Sequence, residues 1–266
     1  MDWIDSLTPE VAADPLTALA APPAGASVVE LRADLLADLD LRTAIAACPL
    51  PVLVTLRSTA EGGRGPTDPD IRRRVLTTAR DAGAALIDLE NARDAHLIDA
   101  LGLTPEQVVL SWHDPEGTPN DIDAVVAALH DSPARVVKAV PTATSLADLE
   151  RVLALHRRFN HRRSHNRRLI TFAMGAVGIA SRYLAPLLGP PLSFAAWSEG
   201  AEAAPGQLSV DRLDAASGHL AGPPQRLYGV VGADVSRSLS PALHNAAYRA
   251  LGLPYLFVPV SVPDPE

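Results

Sequence analysis

The chain has 266 residues, 47% of them hydrophobic but only 4% aromatic, and a formal charge of −8. That length suits one α/β barrel plus a short remainder, the acidic balance argues against general nucleic-acid affinity, and the apolar residues are too evenly dispersed for a membrane span. The start MDWIDSLTPE has neither a basic nor an apolar leader region, and the single cysteine, Cys48, excludes an internal disulfide and a cysteine metal cluster, so a cytoplasmic protein without a metal is expected.

In chain order, the first 26 residues offer a helix near 9–21 and no convincing strand before it. Short β-type runs then follow at 27–31, 51–56, 84–89, 108–112, 134–140, 168–174 and 192–197. Helical patterns at 68–82, 121–129, 146–158 and 179–188 lie among them, the alternation of repeated βα units with a parallel sheet. Runs apolar on both faces belong in a sheet covered by helices. A (β/α)8 TIM barrel over residues 1–220 is the expected fold, its first strand unassigned. The stretch 156–168, with six arginines and three histidines, reads as a solvated loop. A Pro/Gly linker at 221–225 leads to a new strand at 227–231 and an incomplete α/β segment, 226–266, too short to be stable unaided.

Of the 23 lysine and arginine residues only Lys138 is a lysine. A guanidinium replaces an ammonium at most surface positions but never as a nucleophile, because it stays charged. Lys138 sits in the apolar run Ala134-Arg135-Val136-Val137-Lys138-Ala139-Val140-Pro141, a setting that suits a Schiff-base lysine. A leftover lysine snorkelling from a strand end is the plain alternative.

The neighbouring strands carry polar residues at their carboxyl ends: Glu30 and Arg32, Arg57, Asp88 and Glu90, His113 and Asp114. Barrel enzymes assemble their sites from such ends. Glu30 and Arg32 are two apart and point the same way, as do Ser111 and His113, so each pair can address one cavity. Solvation in a loop is the expectation for Asp34 and Asp114.

Several motifs fall in order along this frame: Val-Glu-Leu-Arg-Ala-Asp at 29–34, Thr-Leu-Arg-Ser-Thr-Ala-Glu-Gly-Gly at 55–63, Asp-Leu-Glu at 88–90, Ser-Trp-His-Asp at 111–114, Val-Lys-Ala at 137–139, Met-Gly at 174–175, Ser-Arg at 181–182 and Ala-Pro-Gly-Gln at 204–207. Over roughly residues 27–210 the chain resembles the type I 3-dehydroquinate dehydratases. The resemblance implies dehydration of 3-dehydroquinate to 3-dehydroshikimate in the shikimate pathway, with no metal or organic cofactor. It implies Lys138 as Schiff-base nucleophile, His113 as general acid and base, and Glu61 as the carboxylate that orients it. Arg182, with Arg57 and Arg32, would hold the substrate carboxylate and hydroxyls, and Glu30 and Gln207 complete the substrate-binding set. Nearby guanidinium charge would depress the lysine pKa. Structural roles stand beside these: Glu30 pairing with Arg32, Glu61 capping the Gly62-Gly63 loop, Met174 packing. The chain departs from the family at Ala203, where a serine commonly touches substrate, a loss of about 0.5–1.5 kcal/mol of binding.

The tail, with Tyr228-Gly229-Val230-Val231-Gly232 and then Ser236-Arg237-Ser238-Leu239-Ser240-Pro241-Ala242-Leu243-His244-Asn245, resembles the opening of shikimate dehydrogenase. That resemblance implies shikimate binding at Ser238 and Ser240; a capped helix start before Pro241 satisfies the same residues. NADP belongs to a complete dehydrogenase domain, and no GxGxxG occurs here. The expected partner is the small-molecule substrate, without nucleic acid or membrane, and a homodimer is left open. A non-catalytic metabolite-binding barrel and a class I aldolase are the other readings; the aldolase leaves Ser-Trp-His-Asp and Ala-Pro-Gly-Gln unexplained.

Overall fold

In the computed structural model, which describes residues 2–11, 14–160, 168–189 and 192–262, parallel strands alternate with helices. They run β1 (Asp2–Leu7), α1 (Pro15–Ala20), β2 (Ala26–Arg32), α2 (Leu41–Ala47), β3 (Val52–Thr55), α3 (Pro69–Asp81), β4 (Leu86–Glu90), α4 (Asn91–Asp94), α5 (Leu97–Ala100), β5 (Val108–Asp114), α6 (Ile122–His130), β6 (Val136–Pro141), α7 (Leu146–Leu155), β7 (Arg168–Thr171), α8 (Gly175–Leu184), β8 (Leu192–Ala196) and α9 (Val210–Ser217). The eight-stranded sheet has the order β7-β6-β5-β4-β3-β2-β1-β8, a (β/α)8 barrel hydrogen-bonded at every seam except β7 to β8 among the described residues. A βαβ unit follows, β9 (Arg226–Gly232), α10 (Ser240–Ala250) and β10 (Tyr255–Ser261), its two strands paired in parallel. No helix among the described residues is long and apolar enough to cross a membrane.

The strand that sequence reading left unassigned is present. β1 pairs with β2 on one side and β8 on the other, joining the first and last strands of the barrel. Two aspartates in Asp2-Trp3-Ile4-Asp5-Ser6-Leu7 break the continuous apolar run by which the other strands announce themselves. The helix expected at 9–21 is confined to Pro15–Ala20, capped by Asp14, whose carboxylate accepts from the Leu16 amide. Likewise α8 begins at Gly175 rather than 179, because Gly175 and Gly178 have low helix propensity and hide its first turn. Part of the basic stretch is not a solvated loop: His156–Asn160 continues α7 as a π-helical turn, in which His156 is buried against the Thr171 carbonyl and Phe159 stacks on His130. Residues 161–167 of that stretch lie outside the described residues.

Alternation along the strands splits the apolar residues into two layers. Val29, Leu31, Val54, Leu89, Leu110, Val137 and Leu169 belong to the large core between sheet and helices. Ile4, Val28, Leu53, Val109, Val136, Ile170 and Phe194 form a separate cluster of opposite parity that fills the barrel interior. The inward positions that follow toward the carboxyl ends are polar: Ser6, Glu30, Thr55, Asp88, Ser111 and Lys138, all buried. The interior is apolar at its base and ionisable at its mouth.

Asp5 has the outward parity of β1 and is fully buried, with neither carboxylate oxygen bonded among the described residues. Burial, with Asp211 adding to it, pushes its carboxyl up from the usual 3.8 to about 7. A carboxyl whose folded pKa exceeds its unfolded value stabilises the fold while protonated, and that contribution is lost as pH rises from about 4 through about 7. Asp5→Asn should therefore gain about 1–3 kcal/mol over the parent between pH 5 and pH 9 in denaturant titrations. An unchanged difference across that range would show that Asp5 does not titrate there.

Candidate active site

The ionisable mouth is built around Arg57, just past the end of β3. Its Nη2 donates to Asp88 at 2.8 Å and its Nη1 to Glu61 at 3.0 Å and Ser111 at 3.0 Å, with Glu90 at 3.3 Å. Ser111 in turn donates to Asp88 at 2.5 Å, and Glu90 accepts from the Ser58 amide at 2.7 Å. One guanidinium thus ties the ends of β3, β4 and β5. The loop that carries Glu61 folds back over Arg57, where the Gly65 amide donates to the Arg57 carbonyl at 2.8 Å. Gly63 permits that approach: a Cβ there would sit 2.2 Å from the same carbonyl oxygen. Behind the knot, Arg72 pairs with Asp94 and reaches Glu90 at 3.4 Å.

Glu61 is buried, and its Oε2 accepts from the His113 backbone at 3.1 Å and faces His113 Nδ1 at 3.0 Å. That contact assigns the proton to Nδ1 and leaves Nε2 as the basic nitrogen open to the cavity. Burial holds the His113 pKa well below 6.5, and the positive charges of Arg57, Lys138, Arg32 and Arg182 push the same way, so the ring is neutral near pH 7. Burial lifts Glu61 to about 7 against the pull of Arg57. The capping role considered for Glu61 is not what the structure shows.

Lys138 Nζ lies 3.6 Å from the Phe194 ring centroid and 3.8 Å from Asp88 Oδ2. Its pKa falls from 10.5 to about 8. Burial is the largest cause; Asp88 and Glu30 oppose it, and the guanidiniums of Arg57 and Arg32 add a smaller push in the expected direction. About one lysine in ten is then neutral at pH 7.

Glu30 does not pair with Arg32. It accepts from Ser6 at 2.5 Å and Thr55 at 2.7 Å, while Arg32 forms a two-point pair with Asp34, at 2.8 and 2.7 Å. Asp34, expected in solvent, is buried by that pair; Asp114 is half-buried and accepts from the Glu116 and Gly117 amides in a turn. The loop after β8 closes over the mouth: Arg32 donates to the Ala203 carbonyl at 2.8 Å, Gln207 accepts from the Ala203 amide at 2.8 Å, and Gln207 donates to Ser6 at 3.0 Å. At the position where the family commonly has serine, the Ala203 backbone supplies both contacts.

Arg182, on α8, differs from the other buried guanidiniums. Arg32, Arg57 and Arg72 each face a carboxylate, whereas Arg182 stacks on Phe172, 4.4 Å from its centroid, and among the described residues donates only to the Pro205 carbonyl at 3.3 Å. Its Nε has no partner among the described residues, and burial alone lowers its pKa to about 10. A buried, uncompensated cation is an anion receptor.

Lys138, His113, Glu61, Glu30, Arg32, Arg57, Arg182 and Gln207 all line this one cavity, and Met174 joins its wall. Ser238 and Ser240 lie apart at the start of α10, with Ser238 lining a separate cavity of about 170 Å³ against α9. Sequence reading passed over Ser6, because its strand was unassigned, and Phe194, whose place beneath the amine follows only from barrel closure. Among the described residues no group of three or more potential metal ligands occurs.

Residues 7–221 match the family described as Type I 3-dehydroquinase. The chain belongs to that family. A bifunctional 3-dehydroquinate dehydratase/shikimate dehydrogenase of Arabidopsis thaliana is 34% identical over 244 residues, covering 88% of this chain and 40% of its own length. A 3-dehydroquinate dehydratase of Dehalococcoides mccartyi is 33% identical over 193 residues, covering 71% of this chain and 84% of its own. Among solved structures, the dehydroquinate dehydratase and shikimate dehydrogenase from S. pombe AroM aligns with 98% of this chain and 52% of its own at a TM-score of 0.66 and 23% identity, a likeness of fold.

The titration of Lys138 is directly measurable. Modification of the folded protein by a small amine-directed reagent should be half-maximal near pH 8, against about 10.5 for an exposed lysine. Asp88→Asn should move the midpoint down, because Asp88 favours the charged amine. A midpoint near 10.5 in the parent would remove the activated-amine reading.

Proposed function

We propose that this member of the type I 3-dehydroquinase family converts 3-dehydroquinate to 3-dehydroshikimate through an imine on Lys138, in the shikimate pathway and in the cytoplasm. The observation that carries this is a buried amine of lowered pKa sharing one cavity with a neutral histidine and a guanidinium that lacks a carboxylate. The family needs no cofactor, and the steps below use none.

Neutral Lys138 adds through Nζ to the ring ketone carbon, and loss of water gives an iminium. The iminium draws electrons from the adjacent C–H bond; His113 Nε2 takes that proton and an enamine forms. Protonated His113 then returns the proton to the departing hydroxyl, which leaves as water, and hydrolysis of the conjugated iminium frees the product and Lys138. Of the two waters released one is consumed in that hydrolysis, so the balance is loss of one water. Glu61, accepting from Nδ1, steadies the imidazolium formed between the two proton transfers. The Phe194 ring, beneath Lys138 Nζ, favours the cationic nitrogen of the iminium. Arg182 receives the substrate carboxylate. Arg57 and Arg32, held by Asp88, Glu61, Glu90 and Asp34, act as fixed walls whose remaining donors meet hydroxyls, with Glu30 and Gln207.

For the tail, we propose the opening of a shikimate dehydrogenase substrate domain, with Ser238 and Ser240 toward a carboxylate. Alignment of the two-enzyme S. pombe structure along nearly the whole chain favours this. NADP would belong to a complete dehydrogenase domain.

Borohydride reduction in the presence of 3-dehydroquinate should leave one adduct, mapped to Lys138 by peptide mass and absent from Lys138→Arg. His113→Ala should still be trapped while turnover falls about 10²–10⁴-fold. Folded protein that binds the compound and yields no adduct would instead support a metabolite-binding barrel.

A further inference from the structure

The tail reads as the start of another enzyme, yet it is packed into this one. β10 alternates: Tyr255 and Phe257 face α10, where Phe257 stacks on His244 with centroids 4.5 Å apart, and Leu256, Val258 and Val260 face the barrel. Leu256 and Val258 are fully buried in one cluster with Tyr183 of α8 and Leu213 and Ala216 of α9. Asn245 of α10 fixes the strand by two hydrogen bonds to the Phe257 backbone, donating through Nδ2 to its carbonyl and accepting at Oδ1 from its amide, both 2.8 Å. Arg249 reaches back to Asp214 in the middle of α9.

Arg182 lies on α8 as well, one residue before Tyr183. The helix is pressed between two surfaces. On the inner side Gly178 lies so close to the Ala173 carbonyl that a Cβ would approach it to 2.5 Å. On the outer side lies β10. Tyr183 also accepts from Arg212 of α9 at 3.1 Å, linking the two helices that β10 covers. The contrast with Arg57 decides what this means. Four side chains hold the Arg57 guanidinium, so small movements of β3 are corrected by its ionic partners. Among the described residues Arg182 has one long bond to a carbonyl and one ring face, fewer and weaker restraints than hold Arg57, so its place in the mouth depends more on where α8 is packed.

We propose that β10 positions Arg182 for the substrate carboxylate, with Leu256 and Val258 as positioning residues acting through α8. The inference rests on the reading of Arg182 as the carboxylate receptor. The tail is then a working part of the dehydratase site, independent of any dehydrogenase chemistry.

The test uses the full chain. Val258→Ala and Leu256→Ala should raise KM for 3-dehydroquinate about 5- to 20-fold with kcat held within about twofold, and Val258→Ile should restore KM. If both alanine variants fail to fold, Val260→Ala at the half-buried end of the same face carries the measurement. Leu129→Ala, a core truncation at the far end of α6, should lower stability with KM unchanged, separating positioning from general loosening. In an Arg182→Ala background the Val258→Ala effect should vanish. An unchanged KM in folded seam variants, or the same factor in both backgrounds, overturns the inference while leaving the receptor reading intact. If Arg182→Ala alone leaves KM unchanged, the receptor reading fails and the inference fails with it.

Discussion

Arg57 and the carboxylates around it set the terms for the rest of the site. Asp88 and Glu90, two apart on β4, and Glu61, in the loop after β3, would repel one another at the mouth of a low-dielectric barrel, and the shared guanidinium lets all three stay buried. Each then does something else. Asp88 faces the Lys138 amine, Glu61 orients His113, and Glu90 joins the knot to Arg72 and the Ser58 amide. Removing one partner from such a cluster leaves an uncompensated buried charge, typically about 3–5 kcal/mol. The cluster therefore couples the fold of the mouth to its chemistry, because the strand ends cannot separate without exposing or orphaning these groups.

The pKa shifts follow from that arrangement together with burial. Lys138 and His113 both lose protons more readily than in water, and burial is the largest cause for each. Asp88 and Glu30 restrain the shift on the lysine, which stops at about 8. The result is an imidazole that is neutral near pH 7 beside an amine of which about a tenth is neutral there. Arg182, by contrast, faces no carboxylate among the described residues, and burial alone lowers its pKa to about 10.

The tail adds a different kind of dependence. Its buried face joins α8, α9 and the loop residue Leu208 in one apolar cluster, so the barrel's last two βα units are completed by residues from outside the barrel. Non-directional packing fixes helices well but supplies no ionic tether to re-centre a side chain such as the guanidinium on α8.

The sequence by itself determined the alternation of strands and helices, the parity that sends Glu30 with Arg32 and Ser111 with His113 to one face, and the single lysine within β6, because these depend on local periodicity and residue chemistry. β1 escaped, since a strand holding Asp5 and Ser6 shows its parity only when β2 and β8 flank it. Which acid meets which guanidinium was also undecided: Arg32 takes Asp34 two residues away, Arg57 takes Asp88 thirty-one residues away, and Arg182 takes none among the described residues. Those choices follow from strand register and loop path, which bring together residues remote in sequence. The docking of Leu256 and Val258 on α8 is the same case, a β alternation legible in the chain whose opposing surface exists only after the barrel has closed.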